Sequence, residues 1–227
     1  MSCDTHSNQT KGLTADHLSL RPLKGIHQQL CAFHVYAQDH TRQIESHHYC
    51  TCIKPSTLFH QCIIYDSDES NARLIGIEYI VSEETFKTLP AEEKKYWHSH
   101  KFEVESGVLQ LKFKEGIPET IQREVGDPVM NVLHKTYGKT IHTWAVDLHP
   151  DFPIGPPNLM MSWTGEGQGD PSLIKDRDAR CGMDTESRKE HRKKYLDLGY
   201  QKDSDVDEWE RTGKGIVFEA REVDVKY

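Results

Sequence analysis

Histidine is the residue type with the most chemistry to offer: fourteen of the 227 residues are His, and several could converge. His98-Ser99-His100 sets two imidazoles two residues apart. On a strand such residues face the same way and can address one metal ion. His142, just before Thr143 and Trp144, could add a third nitrogen from a neighbouring strand. Glu78 or Glu103 could add an oxygen, and His48, in His47-His48-Tyr49-Cys50, is a weaker candidate. Three protein ligands with an open position form the pattern of a catalytic metal site; two histidines and a carboxylate suit non-haem iron. Read as a site, the set calls for a transition metal, and zinc, iron, copper and manganese all fit. Read as structure, a buried histidine bonded to Glu78 satisfies both groups without an ion.

Other chemistries find less support. Cys50 near His48, or Cys62, could be drawn as a thiolate with its base, but cysteines in such places are usually packed thiols. The segment His98 to Gly107 fits the first half of a cupin metal motif, with Glu105 after the His-x-His pair. Its glycine comes too early and no second half follows, so a cupin is not expected. Neither glycine-rich phosphate loop nor G-x-S-x-G elbow occurs, which argues against a nucleotide cofactor and against α/β-hydrolase chemistry.

The elements that must position these residues read as an α+β domain. Apolar residues make up 36% of the chain and concentrate between 20 and 165. Residues 1–20 are expected to be mobile, 21–165 to form the core domain, and 166–227 a polar tail packed on it. Leu23, Ile26, Leu30, Phe33 and Ala37 follow helical spacing, predicting a helix over 22–37. Runs at 61–66 and 72–81 read as a hairpin, with Glu78 inside its second strand needing a partner or a proton. Ser82 and Pro90 start two short helices. A long strand is expected over 98–113, with a bulge at Ser106-Gly107. The stretch 115–128 reads as a loop or weak helix, followed by a short helix over 128–136. Strands are expected over 140–148 and 159–163, a helix over 186–198, and a final strand over 215–225. The sum is one antiparallel or mixed sheet of about five to six strands, with an N-terminal helix and short helices packed on it. His149 to Pro157 holds four prolines in nine residues and should form a stiff wall beside His98 and His100.

The net charge is −8, from 36 acidic and 28 basic side chains, which disfavours a nucleic-acid partner. No apolar run is long enough to span a bilayer, and Met1 to Gly12 has no signal-peptide core. The expectation is an intracellular protein, not secreted, with its six cysteines reduced.

Several segments together resemble one family. They are His27 to Ala37, His47 to Cys50, Gln61 to Ser67, Ala72 to Ser82, Leu89 to Gly107, Tyr137 to Asp147 and Pro153 to Ser162. In order and spacing they resemble the oil body-associated proteins, a domain-of-unknown-function family of plants, fungi and bacteria. The resemblance covers about 20–165, with a weaker match near 186–194. It implies a protein of the oil-body or lipid-droplet type, peripheral on the droplet surface and acting by binding a surface or a small molecule. It brings no established catalytic activity. The alternative is a metal-dependent enzyme, His- and Glu-ligated, acting on a small organic substrate.

Overall fold

The computed structural model describes residues 18–227. Of the stretch 1–20 expected to be mobile, residues 1–17 lie outside the described residues. The strands are β1 (Gln28–Tyr36), β2 (Asp39–Lys54), β3 (Phe59–Tyr65), β4 (Leu74–Ser82), β5 (His98–Ser99), β6 (Gln110–Leu111), β7 (Thr136–His142) and β8 (Asn158–Met161). All pairings are antiparallel. The order β2-β3-β4-β7-β8-β1 returns to β2, so six strands close into a barrel. The α+β class and the antiparallel sheet agree with the sequence reading; closure goes beyond it.

The wall between β7 and β1 has two parts. At one end β8 bridges it, pairing with Thr140–His142 and with Val35–Tyr36. At the other end β5 pairs with Tyr137–Gly138 and β6 with Leu30–Cys31. The chain between β5 and β6 carries helix α3 (Lys101–Glu105). There Val104 and Leu109 pack with Leu30, Ile80, Met130 and Leu133 and close the barrel. Tyr36, Ile44, Ile64, Ile75 and Met160, capped by Ala145 and Val146, fill the opposite end. Apolar residues therefore seal both ends of a narrow lumen, and the side chains between them are cut off from bulk solvent.

Strand β1 replaces the expected helix over 22–37, of which only a 3-10 turn, Leu23–Gly25, is present. The reason is burial on both faces. Leu30, Ala32, His34 and Tyr36 alternate with Cys31, Phe33 and Val35, and all are buried. The outer set packs beneath Trp163 and helix α5 (Pro171–Cys181), through its Leu173 and Ile174. A run apolar on both faces satisfies period 2 and period 3.6 alike.

The hairpin of β3 and β4 is present. Helix α1 (Glu83–Lys87) is capped by Ser82, whose side chain accepts from the Thr85 N–H at 3.3 Å. Helix α2 (Ala91–Lys94) follows Pro90. The expected strand over 98–113 is interrupted by α3, and Gly107 (φ 82°) marks the exit from that helix, not a β-bulge. Helix α4 (Glu119–Leu133) runs through Pro128 and replaces the loop and short helix expected over 115–136. The strand expected over 140–148 starts earlier and stops at His142. Helix α5 lies in the stretch expected as a polar tail and is capped by Asp170, with Pro171 in its first turn. Helix α6 (Thr185–Arg192) is shorter than expected, and α7 (Trp209–Thr212) was not anticipated. Residues 215–225 form no strand, although Ile216 and Phe218 pack against the core around Phe33 and Leu159.

One cysteine expectation is also corrected. Cys50 and Cys62 are joined by a disulfide. They stand directly opposite each other on β2 and β3, so the barrel register itself brings the two thiols together. Cys31, Cys52 and Cys181 are free.

Candidate functional site

Glu78 sits at the centre of the lumen. It occupies the middle of β4, points inward, and is 2% exposed. Three imidazoles converge on its two oxygens. His48 Nε2, from β2, lies 3.2 Å from Oε2. His98 Nε2 and His100 Nε2, from the β5–α3 corner, each lie 3.4 Å from Oε1. A fourth ring, His34 of β1, puts its Nε2 3.2 Å from His48 Nε2. Two groups of ligand atoms, His34/His48/Glu78 and Glu78/His98/His100, each fall within 4.8 Å of one another.

His98 and His100 meet, but not by the strand geometry anticipated. Only His98 is in a strand; His100 is the N-cap of α3. The corner between them turns both rings to the same oxygen. His142 is buried but stands one layer back, its Nε2 3.0 Å from His34 Nδ1. It supports His34 and does not reach Glu78. Glu103 lines the cavity, and burial pushes its carboxyl up to about 8. It is therefore a protonated wall group at neutral pH, in no ligand group with the histidines. His34 was missed because the expected helix over 22–37 gave it no strand neighbours, whereas β1 sets it beside β2.

Gly138 was missed as well. A Cβ there would meet Glu78 Oε1, His98 Nε2 at 2.8 Å and His100 Nε2 at 2.9 Å. The glycine leaves a small hollow onto which three ligand atoms point. Its signal was readable: a glycine inside a strand often marks a ligand or a close backbone approach.

The electrostatics favour a metal-ready donor set. Burial alone would raise the Glu78 carboxyl, but hydrogen bonds from His100, His48 and His98 outweigh it and hold the group well below its usual range. Burial and the neighbouring rings of His48 and His142 push His34 down well below 6.5. Burial, then His48, lowers His142 to about 3. Burial lowers His100 too, against the pull of Glu78. Only His98 moves up, because the Glu78 hydrogen bond and charge overcome its burial. An ionised Glu78 and imidazoles held toward neutrality at His34 and His100 are forms that bind a metal, while His98 is shifted the other way.

Fit can be judged from what remains unpaired. The Nδ1 atoms of His98, His48 and His142 are buried with no hydrogen-bond partner, as is Thr140 Oγ1, and His98 Nε2 meets Glu78 only at a long 3.4 Å. Two Nε2 atoms 3.2 Å apart, as in His34 and His48, need one proton or one cation between them. The outer ends are held: His100 Nδ1 is 2.9 Å from Thr136 Oγ1, and His34 Nδ1 is 3.0 Å from Ser46 Oγ. Such bonds orient metal-binding imidazoles. The cavity is about 10 Å³, lined also by Leu30, Ala32, Ile80, Leu109 and Leu133. That is room for one water or one ion.

The proline segment does not wall this cavity. Pro150 to Pro157 is exposed throughout and lines no part of it. Because β7 ends at His142 and the chain leaves the barrel there, the segment projects into solvent. His48 and α3 supply the wall instead.

Comparison with known proteins gives one family. A family model described as "Protein of unknown function (DUF1264)" matches residues 20–196. Oil body-associated protein 1B of Arabidopsis thaliana is 46% identical over 211 residues, covering 92% of this chain and 81% of its own length. Oil body-associated protein 1A of Zea mays is 43% identical, over 90% of this chain and 81% of its own. Oil body-associated protein 2A of Zea mays is 38% identical, over 88% and 76%. No solved structure matches.

Proposed function

Since the chain belongs to the oil body-associated protein family, that of DUF1264, we propose that it binds lipid-droplet surfaces peripherally and holds one transition-metal ion inside its barrel. The convergence of His48, His98 and His100 on the buried Glu78, with His34 behind, carries the metal half. A carboxylate buried among rings with orphaned nitrogens is costly unless protons or an ion complete it. The fold supplies ligands from β1, β2, β4 and the β5–α3 corner, so one ion would tie together strands distant in sequence. Its role on this reading is structural support for a binding protein. A reaction on an organic substrate would require the barrel to open, since the cavity of about 10 Å³ admits none. Elemental analysis of the untagged protein, grown with each metal in turn, tests the centre. Near one equivalent is expected, lost in His98→Ala and in His100→Ala and kept in His191→Ala; less than about a tenth of an equivalent of every metal would end the proposal.

The droplet half needs an attachment that does not cross the membrane, because no described helix is long and apolar enough to do so. The helix expected over 22–37 is a buried strand and cannot serve. The proline segment can. Leu148, just before it, and Phe152 and Ile154 within it are 57%, 70% and 57% exposed. Its base is braced: Trp144 Nε1 donates to the His149 carbonyl at 2.7 Å, and Arg73 Nη1 to the Pro150 carbonyl at 2.7 Å. A stiff loop presents apolar side chains to a phospholipid monolayer at little entropic cost. At about 1 kcal/mol per partly inserted side chain, the three give roughly a hundredfold in affinity. Flotation with artificial droplets should carry the wild type up, and the triple variant Leu148→Ser, Phe152→Ser, Ile154→Ser should stay below. Wild-type protein that remains in the dense fractions would remove the droplet half.

A further inference from the structure

The outer wall of the barrel carries a second set of ligand-type side chains, independent of the lumen. Cys31 of β1 and His47 of β2 are direct cross-strand partners facing outward, and Glu45 is two residues from His47 on the same face. Cys31 Sγ is 3.8 Å from His47 Nε2, which is 2.7 Å from Glu45 Oε1. Cys31 and His47 are fully buried beneath α5. His47 also groups with Asp68 and with Cys181, the last residue of α5, again within 4.8 Å. Its Nδ1 is buried and has no hydrogen-bond partner.

We propose that Cys31, Glu45 and His47 form a second metal site, suited to zinc, with a fourth position left for water. The donor set argues for the ion: thiolate with imidazole and carboxylate is a zinc combination, whereas the lumen offers only nitrogen and oxygen. The spacing is close to what zinc needs. Bonds of about 2.3 Å to sulfur and about 2.0 Å to nitrogen, at a tetrahedral angle, separate S and N by about 3.5 Å. The His47–Glu45 pair is in its hydrogen-bonded form and would open by about 0.6 Å to admit an ion. Supporting contacts are in place. Glu45 offers Oε1 to His47 while Arg180 Nη2 holds Oε2 at 2.5 Å. Arg177 Nη1 donates to Cys31 Sγ at 3.5 Å and to the Val108 carbonyl at 3.0 Å. Both arginines fix ligands from behind, as outer-sphere groups do in metal sites. Ion binding would release the Cys31 thiol proton to solvent, leaving a thiolate–metal bond. Lys112, 3.0 Å from Asp68, also faces the cluster, so the site carries three cations and should be weaker than the lumen.

Cobalt titration of the full, metal-stripped chain separates the two sites. A thiolate ligand gives a near-ultraviolet sulfur-to-cobalt charge-transfer band; nitrogen and oxygen ligands do not. The band should appear in the wild type, persist in the His98→Ala, His100→Ala double variant, persist in Cys52→Ser, and vanish in Cys31→Ser. Glu45→Gln, a milder change in case Cys31→Ser does not fold, should weaken cobalt binding at this site at least tenfold. Cobalt uptake without the band, a band that survives Cys31→Ser, or unchanged affinity in Glu45→Gln would each overturn the second site. None of these outcomes touches the lumen centre, which stands or falls on His98 and His100.

Discussion

The inside and the outside of one barrel wall carry the same residue types and treat charge differently. In the lumen, Glu78 has only imidazoles for partners. On the outer face, Glu45 has Arg180, Asp68 has Lys112, and Cys31 has Arg177. The outer cluster is therefore near neutrality by itself, while the inner one has a carboxylate whose balance depends on protons or an ion. Lysine and arginine side chains are long, and a six-stranded lumen closed at both ends, with a cavity of about 10 Å³, has no space for one beside Glu78. On the metal proposal the ion matters most inside, where no lysine or arginine reaches Glu78.

Removal of the metal should have the largest effect. If the lumen ion is present at about a thousand times its dissociation constant, it stabilises the fold by about 4 kcal/mol. For a chain of this size that is roughly 8–16 °C in Tm. A strong chelator should lower Tm by that much, and readdition of the metal should restore it. A Tm unmoved while elemental analysis shows the protein stripped would mean that the histidines and Glu78 balance one another with protons alone.

Next in size is Gly138→Ala. The added methyl would occupy the hollow beside Glu78, His98 and His100. Overpacking costs about 1–3 kcal/mol, and the metal content should fall below about a tenth of an equivalent. Chelator should then change the Tm of this variant little. A full equivalent of metal in Gly138→Ala would show that the ion, if bound, lies elsewhere.

How much of this was legible in the sequence follows from which faces are buried. The hairpin of β3 and β4 was readable because Asp66 to Asn71 is rich in turn formers between two apolar runs. Strand β1 was not, since α5 covers its outer face and erases the alternation that would separate strand from helix. That one misreading hid His34 and the barrel's closure, because β1 is the strand that joins β8 to β2. Glu78 was found by a physical rule, that a carboxylate amid apolar strand residues needs a partner. His98 and His100 were found through a geometry that does not occur, and they converge because the chain turns sharply between them. His142 was chosen for its strand and turned out to support His34. The Cys50–Cys62 pair depends on register between β2 and β3, which spacing alone does not fix.

A change on the outer wall should have a smaller effect. Arg180→Gln removes the cation that holds Glu45 Oε2 and leaves a neutral hydrogen-bond donor of shorter reach. The Arg180 side chain is 44% exposed, so its pairing with Glu45 contributes at most about 1 kcal/mol to stability, and Tm should move by only a few degrees. Removing a positive charge beside the outer cluster should nevertheless favour a divalent ion there. An effect of about 1 kcal/mol corresponds to a few-fold to tenfold gain in affinity. The same substitution lies outside the lumen, so affinity at the Glu78 centre should not change. Paired cobalt titrations, one followed by the thiolate band and one by total metal, would read the two sites separately. If Arg180→Gln weakens the thiolate band, the guanidinium acts there mainly by orienting Glu45, and the contrast between a cation-rich outer wall and a cation-free lumen would no longer explain the order of their affinities.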